Sequence, residues 1–591
     1  MINNALRTLI SSATEQSLDD VLEHEFRTAV QLQQMDQFEW HQVEADLWKR
    51  TCLGHEASAS FNQNIAHGHT ELSLMTSWRV HQPSSSRITG SELELDQLVA
   101  RVRQAWIQAR YLRPEVGVEL DTHTDPTVAQ TMCYRLLRDE ESIQEWLDET
   151  FVVKRLGDPG VATPAELCAY TYNRPLATKG KKSMLYLILP RLDDEQRTAY
   201  TIWNVSHAVT DGGSLAEVFN TLFQCVIDAT PSEPYDSIYT PSAFELNVLP
   251  RMPRSVVMAY RQQYQPKPEE IAKAHKVAEV NMRMITEKMG ESLALMPSTS
   301  WPERKHETVC LCRELEANEV RELLKFAKQV HSGITYLASA ATILSAAETF
   351  PERKASSKGA LVGMVRNARR WISATPLDAS LGASTPLGSD AVFLWVPIDT
   401  HKTLEPSFSR MQELVTTARH IRHELDKHLT TPHCISSYPY VAESSIQGLN
   451  QQWSQIKAVQ SPSSSSSQKE IAGIIGAQAP GFSSVGMMRI RPRFEPVSAN
   501  ARASGLWLER TDFTHTGRQI NASPWISMFN VDGRIKLQLG FDTKFHEVEK
   551  MNQWLDRTVV WMRICAAAAA TTSTSVSSTS VDATAPVFAR L

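Results

Sequence analysis

Where residues 204–213 read Asn-Val-Ser-His-Ala-Val-Thr-Asp-Gly-Gly, a histidine leaves an apolar run and an aspartate follows four residues later. Imidazole titrates at roughly 6.5, so a neutral His207 can take a proton from a hydroxyl at working pH. Asp211 suits an orienting role, paired with an arginine or with backbone amides. Gly212 and Gly213 permit unusual backbone dihedrals and let a substrate come close to the main chain. H-x-x-x-D alone arises often by chance. H-x-x-x-D-G-G between a strand and a helix is much more specific.

Other candidates carry less. Ser206 sits beside the histidine but has no G-x-S-x-G elbow to present it as a nucleophile. His420, His423 and His428 lie in ARHIRHELDKHL. His423 and His428 stand i, i+5, about 140° apart on a helix, whereas H-E-x-x-H puts both ligands on one face. They read as a solvated helix face. Cys310 and Cys312 form a C-x-C with no second cluster to complete a zinc site, so no metal is expected.

The elements around the histidine are legible from pattern. Met184–Leu189 and Tyr200–Val205 are apolar, β-rich runs joined by RLDDEQRTA, as a hairpin or a short crossover. After the glycines, Leu215, Val218, Phe219, Leu222, Phe223 and Val226 fall on one side of an amphipathic helix. Ser214 with Glu217 three residues on has the form of a capping box. Upstream, residues 18–50 read as helical and 69–82 as extended. Leu95, Leu98, Val99, Val102, Trp106, Ala109 and Arg110 mark a strong helix that Pro114 ends, with a strand at Val116–Leu120.

Residues 241–304 read as a crossover with a helix at 268–290. Beyond it come a strand at 307–313, helices at 316–331 and 334–349, and strands at 359–371, 392–398, 485–492, 524–531 and 534–541, the last two joined by an Asp532-Gly533 turn. The division expected is an amino-terminal lobe 1–240 carrying the histidine motif, the crossover, and a carboxy-terminal lobe 305–565. A low-complexity insertion sits near 460–468, and 566–591 reads as a disordered tail.

The 591 residues carry 60 Lys+Arg against 66 Asp+Glu, a formal net charge of −6, which argues against a nucleic-acid partner. Eight scattered cysteines are too few for a disulfide scaffold and point to reduced thiols in an intracellular compartment. The amino terminus lacks the form of a signal peptide. Residues 333–350 are apolar but interrupted by Thr335, Ser339, Thr342 and Ser345, a buried helix rather than a membrane span.

SHAVTDGGS, with its preceding strand and following helix, resembles the H-x-x-x-D-G motif of the chloramphenicol-acetyltransferase-like superfamily, which includes condensation domains and plant and fungal acyltransferases. AWIQARYLRPEVGVEL, GMVRNARRW and SSVGMMRI resemble further segments of the fungal acyl-CoA-dependent branch, so the likeness covers most of the chain. Ser206 stands where condensation domains often carry a second histidine, and DFTHTGR at 512–518 is only a loose echo of the plant D-F-G-W-G; both departures favour the fungal branch.

The resemblance implies an α/β fold of two lobes, with mixed sheets flanked by helices and an active-site tunnel between them. It implies an O-acyltransferase with acyl-CoA as co-substrate, no bound cofactor and no covalent acyl-enzyme. His207 would be the general base and Asp211 an orienting residue paired with Arg369 or Arg370. A backbone amide near Gly212 would contact the oxyanion. Lys179 and Lys181 are weak candidates for a CoA phosphate. Trp371, Trp395 and Trp525 read as core, with an acyl channel as the alternative.

The last three residues, Ala589-Arg590-Leu591, fit a variant of the peroxisomal S-K-L signal, implying an import receptor as partner. With that tail, the chain resembles the peroxisomal acyltransferases of mannosylerythritol-lipid synthesis, which place a fatty acyl group on a sugar hydroxyl. A trichothecene-type acetyltransferase, a carrier-dependent condensation enzyme and a non-catalytic binding relative are the alternatives. A monomer is expected.

Overall fold

The computed structural model describes residues 35–576, apart from 65, 82–91, 122–129, 160, 177–179, 192–197, 230–240, 294, 296–303, 355–356, 373–388, 399–406, 430–431, 440, 443–445, 449, 451–453, 455–479, 498–501 and 503–505. The 460–468 insertion and the last fifteen residues, with the Ala589–Leu591 tripeptide, lie outside the described residues.

A small antiparallel sheet comprises β1 (His41–Glu44), β2 (Leu47–Thr51), β4 (Val118–Leu120) and β5 (Thr131–Arg135) in the order β1-β2-β5-β4. The main amino-terminal sheet uses β3 (Leu72–His81), β6 (Phe151–Arg155), β7 (Ser183–Leu189) and β8 (Thr198–Val205), and two strands from far along the chain, β13 (Arg493–Phe494) and β14 (Trp507–Gly517). Its order is β13-β14-β3-β8-β7-β6, antiparallel except for β6 with β7. The carboxy-terminal sheet, β11-β10-β12-β15-β16-β9, is also mixed. Its strands are β9 (Thr308–Leu315), β10 (Gly359–Asn367), β11 (Ser389–Pro397), β12 (Gly481–Met487), β15 (Trp525–Val531) and β16 (Arg534–Asp542).

Helices cover the sheets as their apolar stripes require. α1 (His55–Asn64), α2 (Glu92–Leu112), α3 (Pro164–Tyr172) and α4 (Leu215–Asp228) belong to the first lobe. α4 buries its whole predicted stripe, from Leu215 to Val226. In the second lobe α5 (Pro268–Met289), α6 (Ala317–Gln329), α7 (Ile334–Thr349), α8 (Ser407–Leu429) and α9 (Val548–Val576) follow. α7 is the apolar segment interrupted by hydroxyl side chains. Its Ser345 hydroxyl meets Thr558 at 2.6 Å, and its Thr342 carbonyl accepts from Trp554 Nε1 at 3.0 Å, so α9 satisfies its polar groups inside the core. No helix among the described residues is long and apolar enough to cross a membrane.

Several expectations need correcting. Residues 41–51 are the β1–β2 hairpin, not helix, because short strands with polar outward residues lack a clear period. β7 and β8 pair antiparallel, so RLDDEQRTA closes a hairpin. Residues 114–117 form a 3-10 turn before β4. α9 runs on past Ala566 to Val576 with Cys565, Ala566 and Ala569 buried, so packing continues into the segment read as tail. Strand β14 crosses from the carboxy-terminal half into the amino-terminal sheet, pairing with β3 from Trp507↔His81 to Gly517↔Leu72. The two lobes are therefore not two consecutive stretches of chain. The cysteines described are all free thiols.

Candidate active site

β8 ends at Val205, and the loop that follows is pinned before it turns. The Ser206 amide donates to the Lys182 carbonyl at 2.9 Å, and the buried Ser206 hydroxyl accepts from the Ala208 amide at 3.2 Å. Ser206 therefore shapes the turn. His207 is half-buried at its apex. Its Nδ1 is buried without a hydrogen-bond partner among the described residues, so the open side of the ring is Nε2.

Asp211 is wholly buried, and its Oδ1 collects the loop. It accepts from the amides of Gly213 (3.0 Å) and Ser214 (3.2 Å) and from Arg369 Nη2 (2.6 Å). Arg369 follows β10 in a 3-10 turn, Ala368–Trp371, where its amide donates to Asn367 Oδ1 at 3.0 Å. The ion pair thus joins the two lobes, and it is Arg369 that makes it; the Arg370 side chain lies outside the described residues. In this setting the desolvation of both ions is offset only while the pair is intact.

Three sequence readings change here. The Ser214–Glu217 capping box is absent: the Ser214 hydroxyl instead meets Thr210 Oγ1 at 2.9 Å and accepts from the Asp211 amide, while Glu217 pairs with Arg113 at 3.0 Å. Asp211 instead gathers the turn that leads into the helix. The glycines are needed for close approach rather than for unusual dihedrals. A Cβ at Gly212 would lie 2.5 Å from Val485 Cγ1, and one at Gly213 would lie 2.4 Å from Arg369 Nη1, both from the opposite lobe. Lys181 is ion-paired with Glu149, and Lys182 is buried, its ammonium pulled down to about 8 by desolvation against the opposing pull of Glu71 and Glu119. Lys179 lies outside the described residues. Trp525 and Trp395 pack over Gly481 and Gly359 in the second sheet.

Two histidines that the motif does not contain stand near His207. The ring of His55, first residue of α1, meets the His207 ring edge-to-face at 5.4 Å and 80°. His515 lies on β14 in register with Leu74 of β3 and, through it, with Trp203 of β8, two positions before that strand ends. Burial, and then the neighbouring His207, pull its pKa down to about 4, so it is neutral at ordinary pH. Alternation in WLERTDFTHTG could have flagged β14; nothing in the sequence brings His55 to this place. Among the described residues no group of His, Cys, Asp and Glu is arranged to hold a metal ion.

Comparison with known proteins fits this geometry. The family model described as 15-O-acetyltransferase Tri3 matches residues 33–224. The chain is 59% identical over 555 residues, 94% of this chain and 99% of the relative, to "Acyl-CoA-dependent acyltransferase MAC1" of Pseudozyma antarctica (strain T-34). It is 23% identical over 572 residues, covering 91% of this chain and 98% of the relative, to "Acyl-CoA-dependent acyltransferase MAC2" of the same organism. Among solved structures, the TRI3 trichothecene 15-O-acetyltransferase from Fusarium sporotrichioides shares the fold, with a TM-score of 0.67 at 15% identity over 90% of this chain and 98% of that one. The epimerization domain of the third module of tyrocidine synthetase B shares it at 0.51 and 13%, over 90% of this chain and 100% of that one.

Proposed function

The chain belongs to the acyl-CoA-dependent acyltransferases of the chloramphenicol-acetyltransferase-like superfamily, and from that premise we propose that His207 is the general base for O-acylation of a sugar-containing acceptor such as mannosylerythritol. The observation that carries this is the His207 loop, held between the lobes by the Asp211–Arg369 pair with Nε2 open. The acceptor hydroxyl gives its proton to Nε2 as its oxygen attacks the thioester carbonyl. The tetrahedral oxyanion collapses, the C–S bond breaks, and the imidazolium returns the proton to the CoA thiolate. Ester and free CoA leave, with no acyl-enzyme. The Gly213 and Ser214 amides are committed to Asp211 Oδ1, and the Gly212 amide beside them is the one assigned to the oxyanion.

Imidazoles at His55, His207 and His515 suit a polyhydroxylated acceptor better than a hydrocarbon one, which supports the sugar reading. Purified protein is given a fatty acyl-CoA and mannosylerythritol, and ester is measured for wild type and His207→Ala. Ester formation by the variant at near wild-type rate sinks the mechanism. The Ala589-Arg590-Leu591 tripeptide supports delivery to peroxisomes by the import receptor. A fluorescent fusion lacking those three residues should stay in the cytosol, and its retention in peroxisomes removes the address.

A further inference from the structure

β12 passes directly beside the catalytic loop, since Val485 occupies the space a side chain at Gly212 would need. One residue later Gly486 takes φ 82° at a bulge against β15, and the chain turns out along α4. From there it alternates: Met488, Ile490 and Phe494 are buried, while Arg489, Arg491 and Arg493 all face solvent. The segment is fixed to α4. Asn220 Nδ2 donates to the Arg489 carbonyl at 2.9 Å, the Arg491 amide donates to Asn220 Oδ1 at 2.8 Å, and the Val497 amide donates to Asp228 Oδ1 at 2.8 Å. This is a rigid rail with three guanidiniums on one side.

The charge of the rail is largely unspent. Arg491 bonds only neutral groups, Gln224 Oε1 at 3.0 Å and the Asn220 carbonyl at 3.4 Å. Among the described residues neither Arg489 nor Arg491 has a carboxylate at ion-pair distance; Arg493 alone meets one, Glu495 at 2.8 Å, while lying 4.0 Å over the Trp507 ring. In a chain of net charge −6, such a row marks a place for an anion. At about 3.3 Å per extended residue, Arg489 and Arg493 lie at most roughly 13 and 26 Å along the chain from Val485. That is the range over which an extended phosphopantetheine arm, and the nucleotide beyond it, would carry phosphates away from a thioester at His207.

We propose that Arg489, Arg491 and Arg493 are the landing site for the diphosphate and 3′-phosphate of the acyl-CoA. Guanidinium forks match phosphate oxygens in geometry as well as charge. The inference rests on His207 being the reacting centre, because the reach is measured from its loop.

The test compares acyl-CoA with the acyl-pantetheine thioester, which keeps the reacting group and lacks the nucleotide. In Arg489→Gln/Arg491→Gln/Arg493→Gln the KM for acyl-CoA should rise roughly ten- to a hundredfold, with the loss confined to the nucleotide-bearing substrate. Added salt should raise the wild-type KM for acyl-CoA and leave that of the triple variant nearly flat. Dephospho-CoA thioesters separate the 3′-phosphate's share from that of the diphosphate. Equal loss with both thioesters, or an unchanged KM for acyl-CoA, overturns the assignment. If the triple variant melts early, Arg489→Gln alone, whose side chain makes no hydrogen bond or ion pair among the described residues, should still raise the KM about threefold, and no rise there also overturns it. Failure of His207 as base would show separately, as wild-type-like turnover of acyl-pantetheine by His207→Ala.

Discussion

Two of the structures that tie the halves of this enzyme together are built on opposite principles. β14 joins the amino-terminal sheet by a ladder running from Trp507 to Gly517 along β3, with Phe513 fully buried against Phe219 and Phe529. The Asp211–Arg369 pair joins them by one contact of 2.6 Å. The ladder spreads its energy over many hydrogen bonds and apolar contacts, so no single residue decides it. The ion pair concentrates its effect on one loop, where Asp211 is wholly out of water and Arg369 largely so. The ladder should therefore govern whether the protein folds, and the pair whether the folded protein works.

The largest effect is expected where there is only chemistry to lose. His207→Ala should lower turnover about 10²- to 10⁴-fold with thermal unfolding little changed; an equal drop in melting temperature would mean that the loop is structural and blur the contrast. Phe513→Ala should cost about 3–5 kcal/mol in urea unfolding while the activity of the protein that remains folded stays near wild type. Arg369→Ala leaves Asp211 buried and uncompensated, with a cost of about 3 kcal/mol and a larger fractional loss of activity than Phe513→Ala. Adding Asp211→Ala should recover part of the stability and none of the activity. The reverse pattern, activity lost with the ladder and kept without the pair, would break the comparison.

The smallest effect concerns pH. The folded pKa of His515, about 4, lies below the free imidazole's, so between roughly 6.5 and 4 the unfolded chain binds a proton that the folded site refuses. Its contribution to stability is complete above that window and is lost as pH falls through it. Glu71, raised to about 7 by burial, acts with the opposite sign, but it is present in both proteins and cancels in a difference. His515→Phe should then show a shallower fall in melting temperature between pH 7 and pH 4 than wild type.

What could be read from sequence was what is local. The run from Tyr200 to Val226 is strand, loop and helix within one short stretch, and its apolar period carries each assignment. Arg369 and Arg370 are equal candidates for Asp211 in the sequence, and the turn after β10 brings Arg369 to it. Sequence does not reveal His55 or β14 because their meaning is wholly tertiary: a histidine opening a weakly amphipathic helix, and a strand whose charged residues find partners in distant elements, as Asp512 finds Lys536 of the other sheet. The sequence shows that the motif's glycines could vary their backbone or admit a substrate, but not what crowds them, since Val485 and Arg369 come from the other lobe.

The donated strand also sets an order of events during synthesis. Ser77 on β3 finds Thr511 across the ladder, 434 residues further along the chain, at 2.8 Å. Until that segment leaves the ribosome, β3 presents an open edge with Leu74 and Trp78 alternating along it, a surface that invites pairing with other chains. The amino-terminal half therefore cannot mature on its own ahead of the rest, as successive domains usually do. A gene cut between the lobes would yield two fragments that each need the other, and one edge of β3 stays without its native partner for most of translation.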